Sequence, residues 1–80
     1  RRIDLRGRTV EESLDQLDRY LDQAMRAGLP EAQIIHGKGT GTLRRAVRDF
    51  LARHPLVADY EEAGYREGGE GVTGAKIVKR

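Results

Sequence analysis

Ile3 and Leu5 alternate with Asp4 and Arg6, a period of two that predicts a short strand with one buried face, broken at Gly7. Thr9 then precedes Val10, with Glu12 three residues on, the spacing of a capping box that opens a helix. Val10, Leu14, Leu17, Leu21, Ala24 and Met25 step by three or four and form one apolar stripe, which Gly28 and Pro30 end. Residues 32–35 make a brief apolar run that predicts a buried strand. A second amphipathic helix, marked by Leu43, Ala46, Val47, Phe50 and Leu51, should begin near Thr42 and end near His54-Pro55. A third strand is expected over residues 57–60, extending to 63, then a glycine-rich turn over 68–71, then a last strand over 75–78.

The predicted order is β-α-β-α-β-β. A helix crosses between the first two strands, so these should be parallel, joined by a right-handed crossover. Two helical stripes facing one sheet give an α/β (α+β) two-layer sandwich: a four-stranded mixed sheet with both helices on one face. With 80 residues, residues 1–80 read as a single domain, and an opening Arg1 in place of Met suggests one excised from a larger protein.

Composition narrows the function classes. There is no cysteine, which excludes disulfide staples and thiol chemistry, and no apolar run long enough to span a membrane. A cytoplasmic, monomeric domain is the expectation. The net charge of +2 hides an alternation in which residues 1–8 carry +3, 9–35 carry −4, 36–54 carry +4, 55–70 carry −4 and 71–80 carry +3. What matters is whether the two leading basic blocks meet in space.

Ligands of open α/β sheets collect beyond the carboxyl ends of parallel strands. Two segments should reach that edge: Asp4-Leu5-Arg6-Gly7, and His36-Gly37-Lys38-Gly39-Thr40-Gly41. The glycines let a ligand approach the backbone, the following helix points amide donors at it, and Lys38, Arg6 and Arg8 add charge. An anion site, most plausibly for phosphate, is the physical reading. No Walker frame fits around Lys38, and the chain lacks a second mononucleotide-binding half. His36, its pKa lowered by neighbouring cations, would serve as general base or acid. Asp4 would orient a base or water, and Arg6 would grip a phosphate at two points. Arg44 and Arg48 lie off the apolar stripe and suit a nucleic-acid backbone, whereas Arg45 is expected to pair with Asp49. Glu11, Asp15, Asp18 and Asp22 form an acidic stripe that would turn a polyanion to the other side. His54 reads as a helix-end residue without a catalytic role. Tyr60 or Tyr65 offers a ring to a base, although packing is the commoner use. No metal-ligand cluster stands out, so the cofactor is undetermined and a divalent cation stays open.

The segments Ile3-Asp4-Leu5-Arg6-Gly7, Glu11-Glu12-Ser13-Leu14, Ile34-Ile35-His36-Gly37-Lys38-Gly39-Thr40-Gly41 and Gly68-Gly69-Glu70-Gly71-Val72-Thr73 together resemble the Smr (small MutS-related) domain. The lysine-containing loop and Leu17-Asp18-Arg19-Tyr20-Leu21-Asp22 are most similar to the version that ends the bacterial MutS-II-type anti-recombination ATPases. The resemblance implies a nicking endonuclease acting on branched or structured DNA, or in some relatives on RNA, including ribosome-bound message. A non-catalytic DNA- or RNA-binding module of the parent ATPase is the alternative. Carried over residue by residue, the family's motifs fall on Asp4, Leu5 and Arg6 and on His36, Gly37, Lys38 and Gly39. With the two charged loops converging on one edge, Asp4, Arg6, His36 and Lys38 are expected to be catalytic, and Arg8, Gly37, Gly39, Thr40, Gly41, Arg44 and Arg48 to contact nucleic acid. Beyond Val72-Thr73 the family's alternating apolar strand is replaced by Gly74-Ala75-Lys76-Ile77, which makes the packing of the last strand an open question.

Overall fold

The computed structural model describes residues 2–79; Arg1 and Arg80, counted in the terminal basic blocks, lie outside the described residues. The elements are β1 (Arg2–Asp4), α1 (Val10–Arg26), β2 (Glu31–Ile35), α2 (Thr42–Arg53), β3 (Val57–Glu62) and β4 (Val72–Ile77), with single 3-10 turns at Tyr65–Glu67 and Gly69–Gly71. The predicted β-α-β-α-β-β order is the observed one. The sheet runs β1-β2-β4-β3, with β1 and β2 parallel and the other pairs antiparallel.

Local chemistry explains the helix bounds. Thr9 Oγ1 accepts from the Glu12 amide at 3.1 Å while Glu12 Oε1 accepts from the Thr9 amide at 3.0 Å, closing the capping box. At the other end Leu29 N–H donates to Ala24 O and Gly28 N–H to Met25 O, so the last carbonyls of α1 are satisfied.

Register decides which face is covered. Ala32 lies opposite Ala75 and Ile34 opposite Thr73, so these four point to one side. On that side Ile34 and Ala75 pack with Leu17 and Leu21 of α1 and Val47 and Leu51 of α2 in one buried cluster, which Leu5 completes. Both helices therefore cover the same face. Gln33, Ile35, Gly74 and Lys76 face the other way, on a side that neither α1 nor α2 covers.

The last strand differs from expectation by starting at Val72, three residues before Ala75. Gly74 interrupts the apolar alternation in the sequence but not the ladder. Its missing side chain leaves room for Gln33 from β2, whose amide would sit 3.4 Å from a Cβ there. Among the described residues no helix is long and apolar enough to cross a membrane.

Candidate nucleic-acid interface

Three segments far apart in the chain meet at the carboxyl ends of β1 and β2. Leu5 N–H donates to Ile35 O at 2.8 Å, carrying the parallel ladder one step past β1. Beyond it, the amides of both His36 and Gly37 donate to the carbonyl of Gly71, at 3.1 and 3.0 Å. Gly37 adopts φ +78°, and a Cβ there would lie 3.3 Å from Arg6 Cγ, so glycine both makes the turn and lets the Arg6 side chain cross the loop. The two basic loops thus share one rim, as expected. The segment ending at Gly71 is a third participant.

The side chains at that rim divide between the two faces of the sheet. Asp4 pairs in register with Ile35 and so projects on the open face. His36, one residue on from Ile35, projects toward the helices, where it is 5% exposed. Two hollows result. The helix-side hollow is lined by Arg8, His36, the 37–41 loop and Arg44. The open-face hollow is lined by Arg2, Arg6, Arg66 and Gly68 among others, and Gly37 and Lys38 line both. The expectation that His36 would share one hollow with Asp4 and Arg6 is corrected by this geometry. Strand parity puts the imidazole with Leu5 and Ile34, on the opposite side from the carboxylate.

The electrostatics of the two sides differ. Arg6 clamps Asp4 twice, Nε–H to Oδ1 at 3.0 Å and Nη2–H to Oδ2 at 2.7 Å, and its backbone N–H adds a third bond at 3.0 Å. These bonds, with the guanidinium charge, hold the Asp4 carboxyl down at about 2, and the same pairing raises Arg6. Asp4 is therefore an ionised acceptor and a weak base. Arg6 keeps three of its five N–H donors for an anion.

His36 is fully engaged. The Gly37 carbonyl lies 2.9 Å from Nδ1 and is an acceptor, so Nδ1 carries the proton of the neutral ring. Nε2 then accepts from the Thr73 hydroxyl at 2.8 Å. Burial pushes the imidazole pKa down, opposed by the Gly37 bond and reinforced by Arg44 and Arg48. The expected direction holds, but its main cause is desolvation, and the cations that contribute stand on α2 and not in the loop.

The start of α2 faces the helix-side hollow with no cap from its N-cap residue Gly41, a single amide bond from Thr42 to Thr40 Oγ1 at 3.4 Å, and no acid in its first turn. Its amide donors and dipole favour an anion there. Thr40 lines that hollow, its hydroxyl bonded to that of Thr42 at 2.9 Å. Arg44, expected to suit a nucleic-acid backbone, also pairs with Glu62 at 3.1 Å. The Nε atoms of Arg44 and Arg48 are nevertheless buried without hydrogen-bond partners. Arg45 and Asp49 form no ion pair; Asp49 instead offers its carbonyl to Arg53. Half of the acidic stripe on α1 is ion-paired, Asp15 with Arg19 and Asp22 with Arg26, while Asp18 accepts a hydrogen bond from His54 Nε2–H. His54 caps α2, accepting from the Leu56 amide and joining the two helices through Asp18.

Among the described residues, no three His, Asp or Glu side chains gather as a metal-ligating group. Sequence reasoning missed Thr73, Gly71, Arg2 and Arg66 at the site. Val72-Thr73 was visible as a motif, but the partner of its hydroxyl lies 37 residues away.

The Smr domain profile matches residues 3–77. Endonuclease MutS2 of Thermomicrobium roseum is 65% identical over 71 residues, and that of Symbiobacterium thermophilum 53% over 75, covering 89% and 94% of this chain. The chain spans about a tenth of the length of these relatives, 9% and 10%. The crystal structure of the Smr domain of Thermus thermophilus MutS2 superposes with a TM-score of 0.95 at 42% identity, covering 98% of both chains. YdaL of Escherichia coli, a stand-alone small MutS-related protein, superposes at 0.91 with 28% identity, covering 98% of this chain and 64% of its own. In sequence over residues 3–77 and in fold over nearly its whole length, this chain belongs to the Smr domain family, closely related to the Smr domains of MutS2 endonucleases.

Proposed function

We propose that this domain is a nicking endonuclease that cleaves phosphodiester bonds in branched or structured DNA, with structured or ribosome-bound RNA as the other substrate class. In this reading it works in the cytoplasm as part of a larger ATPase, in suppression of recombination or in ribosome rescue. The observation that carries the reading is the cationic rim: Arg6 laid across Gly37, with Lys38 lining the hollows on both sides. The kinship with proteins named endonucleases supports it.

The residues take the following parts. Arg8, the Gly39 amide, Thr40, Arg44 and Arg48 hold backbone phosphates on the helix side, while Gly37 and Gly41, whose amides donate to Gly71 O and Lys38 O, shape the loop around them. Arg6 and Lys38 stabilise the negative charge that grows on the phosphate as it becomes five-coordinate. Asp4 orients the Arg6 fork. His36 fixes the loop through Gly37 and Thr73. The nucleophile is a water, or in RNA the ribose 2′-hydroxyl, and one P–O bond breaks. A divalent cation is a matter for the assay.

Pure domain incubated with supercoiled plasmid and with structured RNA tests this. Wild type should nick, and Arg6→Ala should lose roughly a hundredfold in rate. Parallel reactions in chelator and in magnesium or manganese report metal dependence. One observation favours the alternative of a binding module without chemistry: both His36 nitrogens and the Asp4 carboxylate are already engaged. That alternative predicts salt-sensitive binding, weakened by Arg48→Ala, and no nicked product.

A further inference from the structure

We propose that Tyr65 is a stacking platform for an unpaired nucleobase, placed beside the phosphate-binding rim; this rests on the nucleic-acid reading above. Tyr65 is 96% exposed, while the other large apolar side chains are at least partly covered and the next most exposed, Val10, is at 36%. Tyr20 and Tyr60 pack against the core, which leaves Tyr65 as the tyrosine that folding does not use.

Its position is fixed by hydrogen bonds. Glu67 N–H and Gly69 N–H both donate to Gly64 O, at 2.8 and 3.0 Å, and Gly71 N–H donates to Gly68 O at 3.0 Å. Gly71 in turn accepts from His36 and Gly37, so the turn that presents Tyr65 is joined directly to the phosphate loop. Tyr65 lines one hollow with Lys38, and its neighbour Arg66 lines the hollow that holds Arg6.

The charge around the ring selects which part of a nucleotide belongs there. Glu70 lines the Tyr65 hollow with Lys38 and with Glu62, which is paired with Arg44. Phosphate is disfavoured beside the Glu70 carboxylate, whereas a flat aromatic ring attracts a base, and that carboxylate can accept from exocyclic amines. One nucleotide carries both groups, a phosphate for Lys38 and a base for Tyr65. Bases stacked inside a duplex do not present a free face, so this platform selects unpaired positions.

The test uses this chain with two hairpins of the same sequence, one DNA and one RNA, each carrying 2-aminopurine either in the loop or in the stem. Wild type should change the fluorescence of the loop probe and leave the stem probe unaltered. Tyr65→Ala should abolish that change and bind roughly tenfold more weakly, with an unaltered salt dependence and an unaltered melting temperature. Tyr65→Phe should restore both. The arm showing the Tyr65-dependent signal identifies DNA or RNA as the source of the base. Wild-type binding with Tyr65→Ala indistinguishable from it in both arms overturns the stacking proposal alone. Failure of wild type to bind either hairpin at low salt overturns the nucleic-acid reading, and this proposal with it.

Discussion

Thr73→Val isolates the contribution of one buried hydrogen bond to the phosphate loop. Thr73 is fully buried and its hydroxyl donates to Nε2 of His36, itself 5% exposed, at 2.8 Å. Valine keeps the shape and suits a strand, so the change removes the donor and little else. The imidazole acceptor is then buried without a partner, which costs about 1–3 kcal/mol. For a domain of this size each kcal/mol moves the melting temperature by about 4–8 °C, so Tm should fall by roughly 4–24 °C. Thr73→Ser, which keeps the donor, should recover most of the loss. Thermal and urea unfolding at pH 7.5 measure it, and a double-mutant cycle with His36→Leu gives the coupling. With both polar partners gone the pair becomes apolar, so the double variant should be more stable than the sum of the two single losses. A Thr73→Val midpoint equal to wild type, or a coupling near zero, refutes the assignment of His36 as a group held by Thr73.

Gly68→Ala should destabilise by roughly 2 kcal/mol or more, because Gly68 has φ +117° and a Cβ would fall 2.3 Å from Val72 Cγ2; an unchanged urea midpoint contradicts this. Thr9→Ala should cost about 1 kcal/mol through loss of the capping box, and Thr9→Ser should not. The pH dependence has a definite sign. The folded His36 has a lowered pKa, so below the ordinary range near 6.5 the unfolded chain takes up a proton that the folded one resists. Its contribution to stability is full above that range and declines as pH falls through it. The urea midpoint at pH 5.5 should therefore lie below that at pH 7.5, and equal midpoints refute the burial of a neutral imidazole.

Much of the fold was legible because it is local. The Thr9–Glu12 box and the two apolar stripes lie within single helices, and short-range spacing determines them. What escaped depends on pairing across the chain. Gly74 reads as a strand breaker until Gln33 of β2 is seen to occupy the space it leaves. Arg44 reads as a cation left for a nucleic-acid backbone until β3 brings Glu62 to it, 18 residues away. The separation of His36 from Asp4 is a different case, because its signal was present. If Leu5 and Ile34 both point inward on neighbouring strands, then alternation sends His36 inward and Asp4 outward. The rim was found from the glycines and charges, while its two-sidedness lay in the same period of two that predicted the strands.

The strand order also governs how this surface comes into being. β1 finds its partner only across α1, and β2 sits between β1 and β4, so the ladder at the rim closes only after the chain has looped back twice. Such distant pairings are entropically late, and folding dominated by them is slow compared with a helical bundle. Because the Gly71 carbonyl accepts from both His36 and Gly37, the β1–β2 pairing alone leaves the backbone of the phosphate loop without its third support.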